Sequence, residues 1–342
     1  MRLLAVHPVD HPGGAEVGFL RLALRLRDRG WLITMATPGD DGPLTNAGFP
    51  HLRLDVGGLG AREGARAVAS WPRARRLARD TDLVYLNSSV CGRLLPALRG
   101  AYTVLHVHDI VDRVPRHWHQ ADVVLADSTA VAERLTGLDA HVVHCPVELD
   151  PPPAPIPWPE RPNGSRDSAE PGGPIIGFVG RIEPRKGVID LVHAAPLLHA
   201  ALPGARIIIM GDDPYGTDPA YLEQVRASTD VEHLPWVTNA PGIMRHLDVL
   251  VAPSHQEPFG TVLSEAMAVG TPVVATRVGG LAEVVDDGVN GVLVAPADPA
   301  ALAAGVLRVL ADRDALGTAA RRSAQRFGAD AYADRVQALI TP

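Results

Sequence analysis

The chain has 342 residues, a mass of 36.2 kDa and a formal net charge of −7, with 46% hydrophobic and 21% charged residues. This composition excludes a disordered or fibrous chain, and the length predicts two domains. Two cysteines cannot build a disulfide scaffold or a four-cysteine zinc site. Without a membrane-spanning apolar run or a recognisable signal peptide, the sequence predicts a cytoplasmic protein. Biased codon usage explains why 31 of the 32 basic residues are arginine. It does not explain why residue 186 is the one lysine of the chain.

Short apolar runs alternate with longer amphipathic segments along the chain. Nearly continuous apolar runs are typical of strands in parallel sheets that helices cover on both faces. The predicted strands are Arg2–Val9, Trp31–Thr37, His51–Val56, Asp82–Asn87, Tyr102–His108, Ala121–Asp127, His141–Val147, Pro174–Gly180, Ala205–Gly211, Val231–Trp236, Asp248–Pro253, Pro272–Thr276 and Gly291–Ala295. The predicted helices include Glu16–Arg29, Thr261–Val269, Ala300–Ala311 and Asp330–Ile340. We therefore predict two doubly wound α/β domains facing a central cleft, where strands of both sheets end and ligands bind.

Prolines mark the predicted domain boundary. Nine of the 31 prolines lie within residues 151–174, which predicts domains over 1–150 and 174–326 with a linker over 151–173. Residues 1–150 carry 17 basic and 17 acidic residues, and residues 151–342 carry 15 and 22. Neither half therefore predicts a nucleic-acid partner. The sequence also shows no strong basic amphipathic face, so we expect at most peripheral membrane contact.

The strongest motif follows the strand predicted at Asp248–Pro253. It reads Glu257-Pro-Phe-Gly-Thr-Val-Leu-Ser-Glu265. Because a helix is predicted to start after Gly260, its unpaired N–H groups and its dipole create a seat for phosphate there. Glu257 and Glu265 could hold separate parts of one ligand. Alternatively, Glu257 only complements the helix dipole and Glu265 faces solvent.

A basic motif follows the first strand of the second predicted domain. It reads Gly180-Arg181-Ile-Glu-Pro-Arg185-Lys186-Gly187. Arg181 and Lys186 could neutralise a diphosphate at the carboxyl edge of the sheet. The alternative is a solvated basic loop.

Two weaker signals lie in the first predicted domain. Gly13-Gly14 could bring the backbone close to a ligand or form a plain turn. His106, His108 and Asp109 end the strand Tyr102–His108, where they could face a ligand or only stabilise the fold.

These motifs, in this order, resemble those of the retaining glycosyltransferases of family 4, which have the GT-B fold. The resemblance covers essentially the whole chain and rests on Gly13-Gly14-Ala-Glu16, Asp127-Ser128, Gly180-Arg181 with Lys186-Gly187, Asp248-Val-Leu-Val-Ala-Pro-Ser254, the Glu257-to-Glu265 motif, Gly279-Gly280-x-x-Glu283 and Asp287-Gly-x-Asn-Gly. One element departs from the family. Where members often have Phe-x-Gly beside the nucleobase, this chain has Leu234-Pro-Trp-Val.

The resemblance implies a role for each motif. Arg181 and Lys186 would bind the donor diphosphate, Glu265 the ribose, and Glu257 the donor sugar. Backbone groups of Gly180, Phe259, Gly260, Thr261, Gly13 and Gly14 would also contact the donor. His108, or alternatively His106, would lie near the anomeric carbon, with Asp109 on the acceptor side. The catalytic candidates are thus Lys186, Arg181, Glu257 and His108.

The resemblance also implies partners and domain roles. The first domain, completed by a C-terminal helix within 327–342, would bind the acceptor, and the second the donor. The donor would be a nucleoside-diphosphate sugar, most simply of UDP, with GDP as an alternative. A soluble small molecule or saccharide would be the acceptor, as in natural-product or glycoconjugate biosynthesis. No metal or other cofactor is expected, and the sequence predicts no oligomeric state.

Three other functions remain open from the sequence. A sugar-nucleotide epimerase or a phosphorylase would share the fold, and a non-catalytic module could bind the same nucleotide sugar. A zinc-dependent de-N-acetylase is suggested by His7-Pro-Val-Asp10-His11 and by a group of possible metal ligands. That group comprises His106, His108, Asp109, His117 and His119.

Overall fold

The computed structural model describes residues 1–9, 13–40, 42, 44–58, 61–158 and 173–342. These residues form two compact units. The first unit comprises Met1–Val147 and Phe327–Pro342, and the second comprises Glu148–Arg326. In the predicted linker, 151–158 belong to the second unit, where Pro151 O accepts a hydrogen bond from Arg245, and 159–172 lie outside the described residues.

Strands and helices are numbered here in chain order along the described residues. The strands β1 to β13 are Arg2–Val6, Leu32–Thr37, His51–Arg53, Leu83–Asn87, Thr103–Val107, Val123–Ala126, Ala140–Val142, Ile175–Val179, Arg206–Met210, Glu232–Leu234, Val249–Ala252, Val273–Thr276 and Gly291–Val294. The helices α1 to α11 are Gly14–Asp28, Ala61–Ala78, Thr129–Ala132, Val188–Ala201, Pro219–Arg226, Ala240–Met244, Thr261–Ala268, Leu281–Val284, Pro299–Ala311, Arg313–Ala324 and Ala329–Ile340. Each predicted strand overlaps an observed one, and the observed strands are shorter.

The first unit contains a seven-stranded parallel sheet in the order β3-β2-β1-β4-β5-β6-β7. Apolar side chains form a core on each face of this sheet. The C-terminal helix α11 contributes to one of these cores through Tyr332, Val336 and Ile340. Val147 N–H donates to Phe327 O and Val147 O accepts from Ala329 N–H, so backbone hydrogen bonds fix the returning chain at the start of α11.

The second unit contains a six-stranded parallel sheet in the order β10-β9-β8-β11-β12-β13. The helices α4 and α9 contribute to a core on one face of this sheet, where Leu191, Leu198 and Val306 are buried. Both predicted parallel-sheet folds are therefore confirmed. Within the described residues, no helix has the length and apolarity needed to cross a bilayer.

Each sheet has one point where the strand order reverses. In the first unit this point lies between β1 and β4, and in the second between β8 and β11. At such a point the connections leave in opposite directions, so a crevice forms at the carboxyl ends of the two strands. His7 and Asn87 flank this point in the first unit, and Arg181 and Ser254 flank it in the second.

Candidate active site

Two loops meet at the reversal point of the second unit. The loop after β8 contains a 3-10 helix at Pro184–Lys186, and the backbone carbonyl of Arg185 accepts hydrogen bonds from His255 and Gln256 in the loop after β11. Gly187 has a φ of +63°, and a Cβ built there would lie 2.0 Å from Pro253 O. Only glycine fits this contact, which brings the two loops together.

Lys186 and Glu257 form an ion pair across these loops. Lys186 Nζ lies 2.5 Å from Glu257 Oε2, which also accepts a hydrogen bond from Ser254 Oγ at 3.2 Å. The Lys186 side chain is 16% exposed and the Glu257 side chain 10%. Two residues that the sequence assigns to separate parts of a donor are therefore direct partners.

The electrostatics of this pair follow from burial and from the neighbouring charges. Burial alone would raise the pKa of the Glu257 carboxyl, but the charge and the hydrogen bond of Lys186 outweigh burial and lower that pKa. Burial lowers the pKa of the Lys186 ammonium, the Glu257 charge opposes this shift, and the Arg185 and Arg181 charges add to it. Each partner thus stabilises the charged form of the other, and the pair holds the Lys186 ammonium in place at the edge of the sheet.

The guanidinium of Arg181 lies against an acid and an aromatic ring. Its Nη1 is 3.5 Å from Glu183 Oε2, and its Cζ is 5.5 Å from the centre of the Tyr215 ring. Arg185 Nε lies 2.6 Å from the same carboxylate of Glu183. Glu183 therefore holds both arginines beside Lys186, with a third of the Arg181 side chain exposed.

The start of α7 is fixed by a close contact between two loops. Gly260 caps the helix with a φ of +94°, Thr261 is its first residue, and Phe259 is buried. A Cβ at Gly279 would lie 2.1 Å from Glu257 O, so the Gly279-Gly280 turn presses on the Glu257 segment. The first N–H groups of a helix have no partner within it, which leaves a positive end beside Glu257.

The remaining predicted donor residues of the second unit are Glu265 and Gly180. Glu265 lies one turn inside α7 and is half-buried, so it is not the fully solvated residue of the alternative interpretation. Gly180 directly follows β8 with a φ of +151°, a conformation that favours glycine.

A chain of buried polar groups crosses the carboxyl edge of the first unit. Asp127 accepts a hydrogen bond from His108 Nδ1 at 2.8 Å, and its other oxygen lies 2.8 Å from His106 Nε2. The second ring nitrogen of His106 lies 2.7 Å from the hydroxyl of Tyr85. His108 Nε2 lies 2.9 Å from Asn87 Oδ1. Within the described residues, both ring nitrogens of His108 are therefore engaged.

The orientation of Asn87 determines the protonation of His108. Asn87 Nδ2 donates to Ala15 O at 3.3 Å and lies 3.1 Å from His7 Nδ1, so the amide oxygen must face His108. That oxygen accepts a proton from Nε2, while the carboxylate of Asp127 accepts one from Nδ1. Both ring nitrogens are then protonated, and His108 is held as an imidazolium.

The pKa shifts agree with this assignment. Burial alone would lower the pKa of His108, but the Asp127 charge and hydrogen bond, with Glu16 and Asp109, raise it. Burial and the His108 charge lower the pKa of His106 to about 4 and that of His7 to about 3. One histidine of the three therefore carries the charge near neutral pH.

The other predicted residues of the first unit have structural partners. Gly13 N–H donates to Glu16 Oε2 at 2.8 Å, which caps α1, and Gly14 is the first residue of that helix. Asp109 is exposed and accepts a hydrogen bond from Ser89. Gly13-Gly14 thus forms the start of a helix. His106, and not Asp109, shares the partner Asp127 with His108.

The group of metal ligands predicted from the sequence contains the wrong residues. In the part of the chain that the structure describes, the group that could hold an ion is His106, His108 and Asp127. Asp109 bonds Ser89, and His117 and His119 lie on the separate 3-10 helix Arg116–Gln120. Of the de-N-acetylase motif, 10 and 11 lie outside the described residues.

Comparison with known protein families covers both units. The family model described as Glycosyltransferase Family 4 matches residues 12–151. The model described as Glycosyl transferases group 1 matches residues 173–312, so the two together match most of the chain. The chain belongs to glycosyltransferase family 4. This membership confirms the predicted family and enzyme class and does not favour a metallohydrolase.

Curated relatives match only part of this family 4 glycosyltransferase. The chain is 41% identical to the glycogen synthase of Mycobacterium tuberculosis over 160 aligned residues. This alignment covers 45% of this chain and 38% of the relative. The chain is also 41% identical over 182 residues to the D-inositol 3-phosphate glycosyltransferase of Geodermatophilus obscurus, covering 49% of this chain and 40% of the relative. The match therefore spans about two fifths of these relatives.

Solved structures match the family 4 glycosyltransferase over its whole length. Anabaena HepE in complex with UDP-glucose superposes with a TM-score of 0.80 at 23% identity, covering 99% of this chain and 98% of that one. The sucrose-phosphate synthase of Thermosynechococcus elongatus gives the same TM-score, identity and coverage. At this identity the likeness shows the fold alone, and it confirms the GT-B fold.

Sequence reasoning about this glycosyltransferase missed three residues of the polar chain. Asn87 and Tyr85 are not singled out by any motif, and His7 is considered only as a metal ligand. A usable signal was present, because Asn87 ends β4, His7 follows β1 and Asp127 follows β6. Polar residues that end neighbouring parallel strands meet at one edge of the sheet.

Replacing Asp127 by asparagine should make His108 lose its charge near neutral pH. Without the carboxylate, burial remains and lowers the pKa of His108 below its ordinary value, whereas the native pKa lies above it. NMR titration of the ring nitrogens measures this shift. Asp109→Asn, which removes an exposed carboxylate, is the control and should move the titration much less. An unchanged titration in Asp127→Asn would contradict the assigned protonation.

Proposed function

We propose that the chain transfers a sugar from a nucleoside-diphosphate sugar to a hydroxyl group of an acceptor, with retention of the anomeric configuration. Family membership supports the transferase class. The observation that carries the proposal is the Lys186–Glu257 pair, at the reversal point of the second sheet and beside the start of α7. Cations and helix N–H groups converge there, as binding of a diphosphate requires.

The charge that develops during sugar transfer explains the choice of residues. As the anomeric C–O bond breaks, negative charge grows on the oxygens of the departing diphosphate. Lys186 and Arg181 stabilise that charge, and preorganised cations of this kind lower a barrier by about 3 to 4 kcal/mol. Lys186 has three N–H donors, so pairing with Glu257 leaves two for phosphate oxygens.

Glu257 acts in this proposal as a binding group. Its Oε2 is occupied by Lys186 and Ser254, and Oε1 has no hydrogen bond to any described residue, so it is available to a hydroxyl of the donor sugar. A carboxylate paired with a lysine is a weak nucleophile. We therefore favour attack by the acceptor on the face from which the diphosphate leaves, without a covalent intermediate.

His108 contributes a positive charge in this proposal and not a base. An imidazolium with both N–H groups engaged cannot accept a proton from the acceptor. The Asp127 and Asn87 side chains hold the ring in place, so its charge is preorganised for the donor sugar. Metal independence follows if these cations suffice for the diphosphate.

The substrates are proposed from the comparisons. HepE was solved with UDP-glucose, which supports UDP over GDP, and the relatives named for D-inositol 3-phosphate and glycogen support a hydroxylated, water-soluble acceptor. We assign the first unit to the acceptor and the second to the donor. The cytoplasm, where nucleotide sugars are made, is the proposed location.

Release of nucleoside diphosphate tests the proposal directly. The protein is incubated with UDP- and GDP-sugars in the presence and absence of cyclitols and saccharides. The masses of the products are then measured by mass spectrometry. Diphosphate release that requires an acceptor, with a glycosylated product, is expected. An epimerised donor would instead indicate an epimerase, phosphorolysis of a saccharide a phosphorylase, and binding without turnover a non-catalytic module. Each of these results would contradict the proposal. Activity that disappears with a chelator and returns with zinc would overturn metal independence.

A further inference from the structure

Glu183 and Tyr215 are the two side chains that form an ion pair or a cation–π contact with Arg181 within the described residues. Glu183 is held mainly by another cation, since Arg185 Nε lies 2.6 Å from its Oε1. Arg181 Nη1 lies 3.5 Å from Oε2, which is longer than an ordinary hydrogen bond between nitrogen and oxygen. Glu183 therefore attracts Arg181 without fixing the direction of its N–H groups.

Tyr215 attracts the same guanidinium through the face of its ring. Arg181 Cζ lies over the ring, 5.5 Å from its centre, which is within the range of a cation–π contact. This attraction comes from the ring electrons and not from a hydrogen-bond acceptor, so it uses none of the five N–H donors of the arginine. The ring therefore holds the cation without neutralising its charge. A second acid in this place would neutralise Arg181 and would compete with a phosphate for its donors.

Backbone contacts hold the loop of Arg181 against the loop that joins β9 to α5. Ile182, the residue after Arg181, donates its N–H to Asp212 O at 2.9 Å in that second loop. A Cβ at Gly211, the first residue of the second loop, would lie 1.8 Å from Gly180 O. Glycine permits this approach because it has no side chain. The residues on both sides of Arg181 are therefore tied to the loop between β9 and α5.

The loop between β9 and α5 is itself built around one carboxylate. The side chain of Asp213 accepts three backbone N–H groups, those of Thr217, Asp218 and Tyr215. These hydrogen bonds lower the pKa of the Asp213 carboxyl group, so it stays charged inside the turn. Gly216 turns the chain with a φ of +60° and donates its N–H to Asp213 O. The backbone of Tyr215 is therefore fixed, although its side chain is 52% exposed.

From these contacts we infer that Tyr215 is a positioning residue, which keeps the N–H groups of Arg181 available to the diphosphate of the donor. The inference rests on the proposed function and adds to it a residue that no sequence motif singles out. It predicts that Tyr215 acts through Arg181 alone. A ring that instead stacks on the base of the nucleotide would affect the binding of nucleotides whether or not Arg181 is present.

The contact between Tyr215 and Arg181 can be measured without a ligand. An aromatic ring shifts the NMR signals of a group that lies over it, and the Nε–H signal of Arg181 is identified by its absence in Arg181→Gln. We expect Tyr215→Leu to move this signal and Tyr215→Phe, which keeps the ring, to leave it in place. Trp236, which is also 52% exposed and follows β10, provides the control variant Trp236→Leu. An Arg181 signal that is unchanged in Tyr215→Leu would overturn the inference.

Calorimetry of the full chain with inorganic pyrophosphate and with UDP tests what the contact does. Pyrophosphate has two phosphates and no base, so Tyr215→Leu should weaken the binding of both ligands by the same factor, about two- to fivefold. Tyr215→Phe should bind both ligands like the native chain. In the Arg181→Gln background, Tyr215→Leu should have no further effect, because residues that act as a unit are not additive.

The other outcomes of calorimetry contradict the inference in distinguishable ways. Weaker binding of UDP but not of pyrophosphate would assign the ring to the nucleoside. Additive effects of Arg181→Gln and Tyr215→Leu, or unchanged affinity in Tyr215→Leu, would overturn the positioning role and leave the proposed function intact. A native chain that binds neither ligand would overturn the diphosphate site of the proposed function, and the positioning role with it. Thermal unfolding checks the fold of each variant.

Discussion

Replacing Lys186 by alanine is expected to lower kcat of the proposed sugar transfer about a thousandfold. The lysine ammonium is the most buried cation beside the start of α7, and loss of one preorganised charge at a developing oxyanion costs 10²- to 10³-fold, or about 3 to 4 kcal/mol. KM for the donor should change much less, because the charge that Lys186 stabilises grows as the bond breaks. Steady-state kinetics with a saturating acceptor measures both quantities.

The fold must be checked separately, because Glu257 is buried with Lys186. Removing one partner of a buried pair leaves an uncompensated charge and costs about 3 to 5 kcal/mol. The double variant Lys186→Met, Glu257→Gln removes both charges and should restore thermal stability while staying inactive. Arg185→Ala is the matched control, since it removes a neighbouring cation that pairs with Glu183, and it should retain activity within about tenfold. Near-native turnover in folded Lys186→Ala would refute the diphosphate role.

Acidification from pH 6 to pH 4 is expected to remove about 5 kcal/mol of the stability that His7 and His106 give the first unit, and the raised pKa of Glu16 opposes part of this loss. His7 and His106 have folded pKa values of about 3 and about 4, below the ordinary 6.5. In this range the unfolded chain binds two protons that the folded unit does not, so stability falls as the pH falls, by about 1.4 kcal/mol per pH unit for each histidine. His108 adds little slope, since its raised pKa leaves it protonated in both states.

Urea unfolding at several pH values, read by hydrogen exchange in β4 and β5, measures this dependence. His7→Leu removes one of the two groups and should halve the slope. The exposed His141 on β7 provides the control, and His141→Gln should leave the slope unchanged. Below pH 4 the native unit should lose further stability, because the unfolded chain takes up a proton on Asp127 while the lowered pKa keeps this carboxylate charged in the folded unit. A first unit whose stability is constant from pH 6 to pH 4 would contradict the buried neutral histidines.

Local patterns predict the central strands well because these strands are buried on both faces. The run Asp82–Asn87, for example, contains β4, whose five residues are all buried. The start of α7 was predicted from Gly260 for a similar reason, since the residues that define it are adjacent in sequence. Such features depend on neighbours within a few residues.

The pairings within the site could not be predicted from local patterns. Lys186 and Glu257 are 71 residues apart, and their contact requires β8 to lie beside β11. The contacts of Asp127 with His106 and His108 likewise depend on β5 lying beside β6.

The return of α11 to the first unit has a consequence for synthesis of the protein. Tyr332, Val336 and Ile340 complete a core whose members outside α11, such as Leu3 and Phe19, precede the second unit in the chain. The second unit is encoded entirely between these two parts. Its chain is therefore finished earlier, and the first unit keeps an open apolar face until α11 has been synthesised. A chaperone that covers this face on the nascent chain would protect a unit that begins before the second unit and is completed after it.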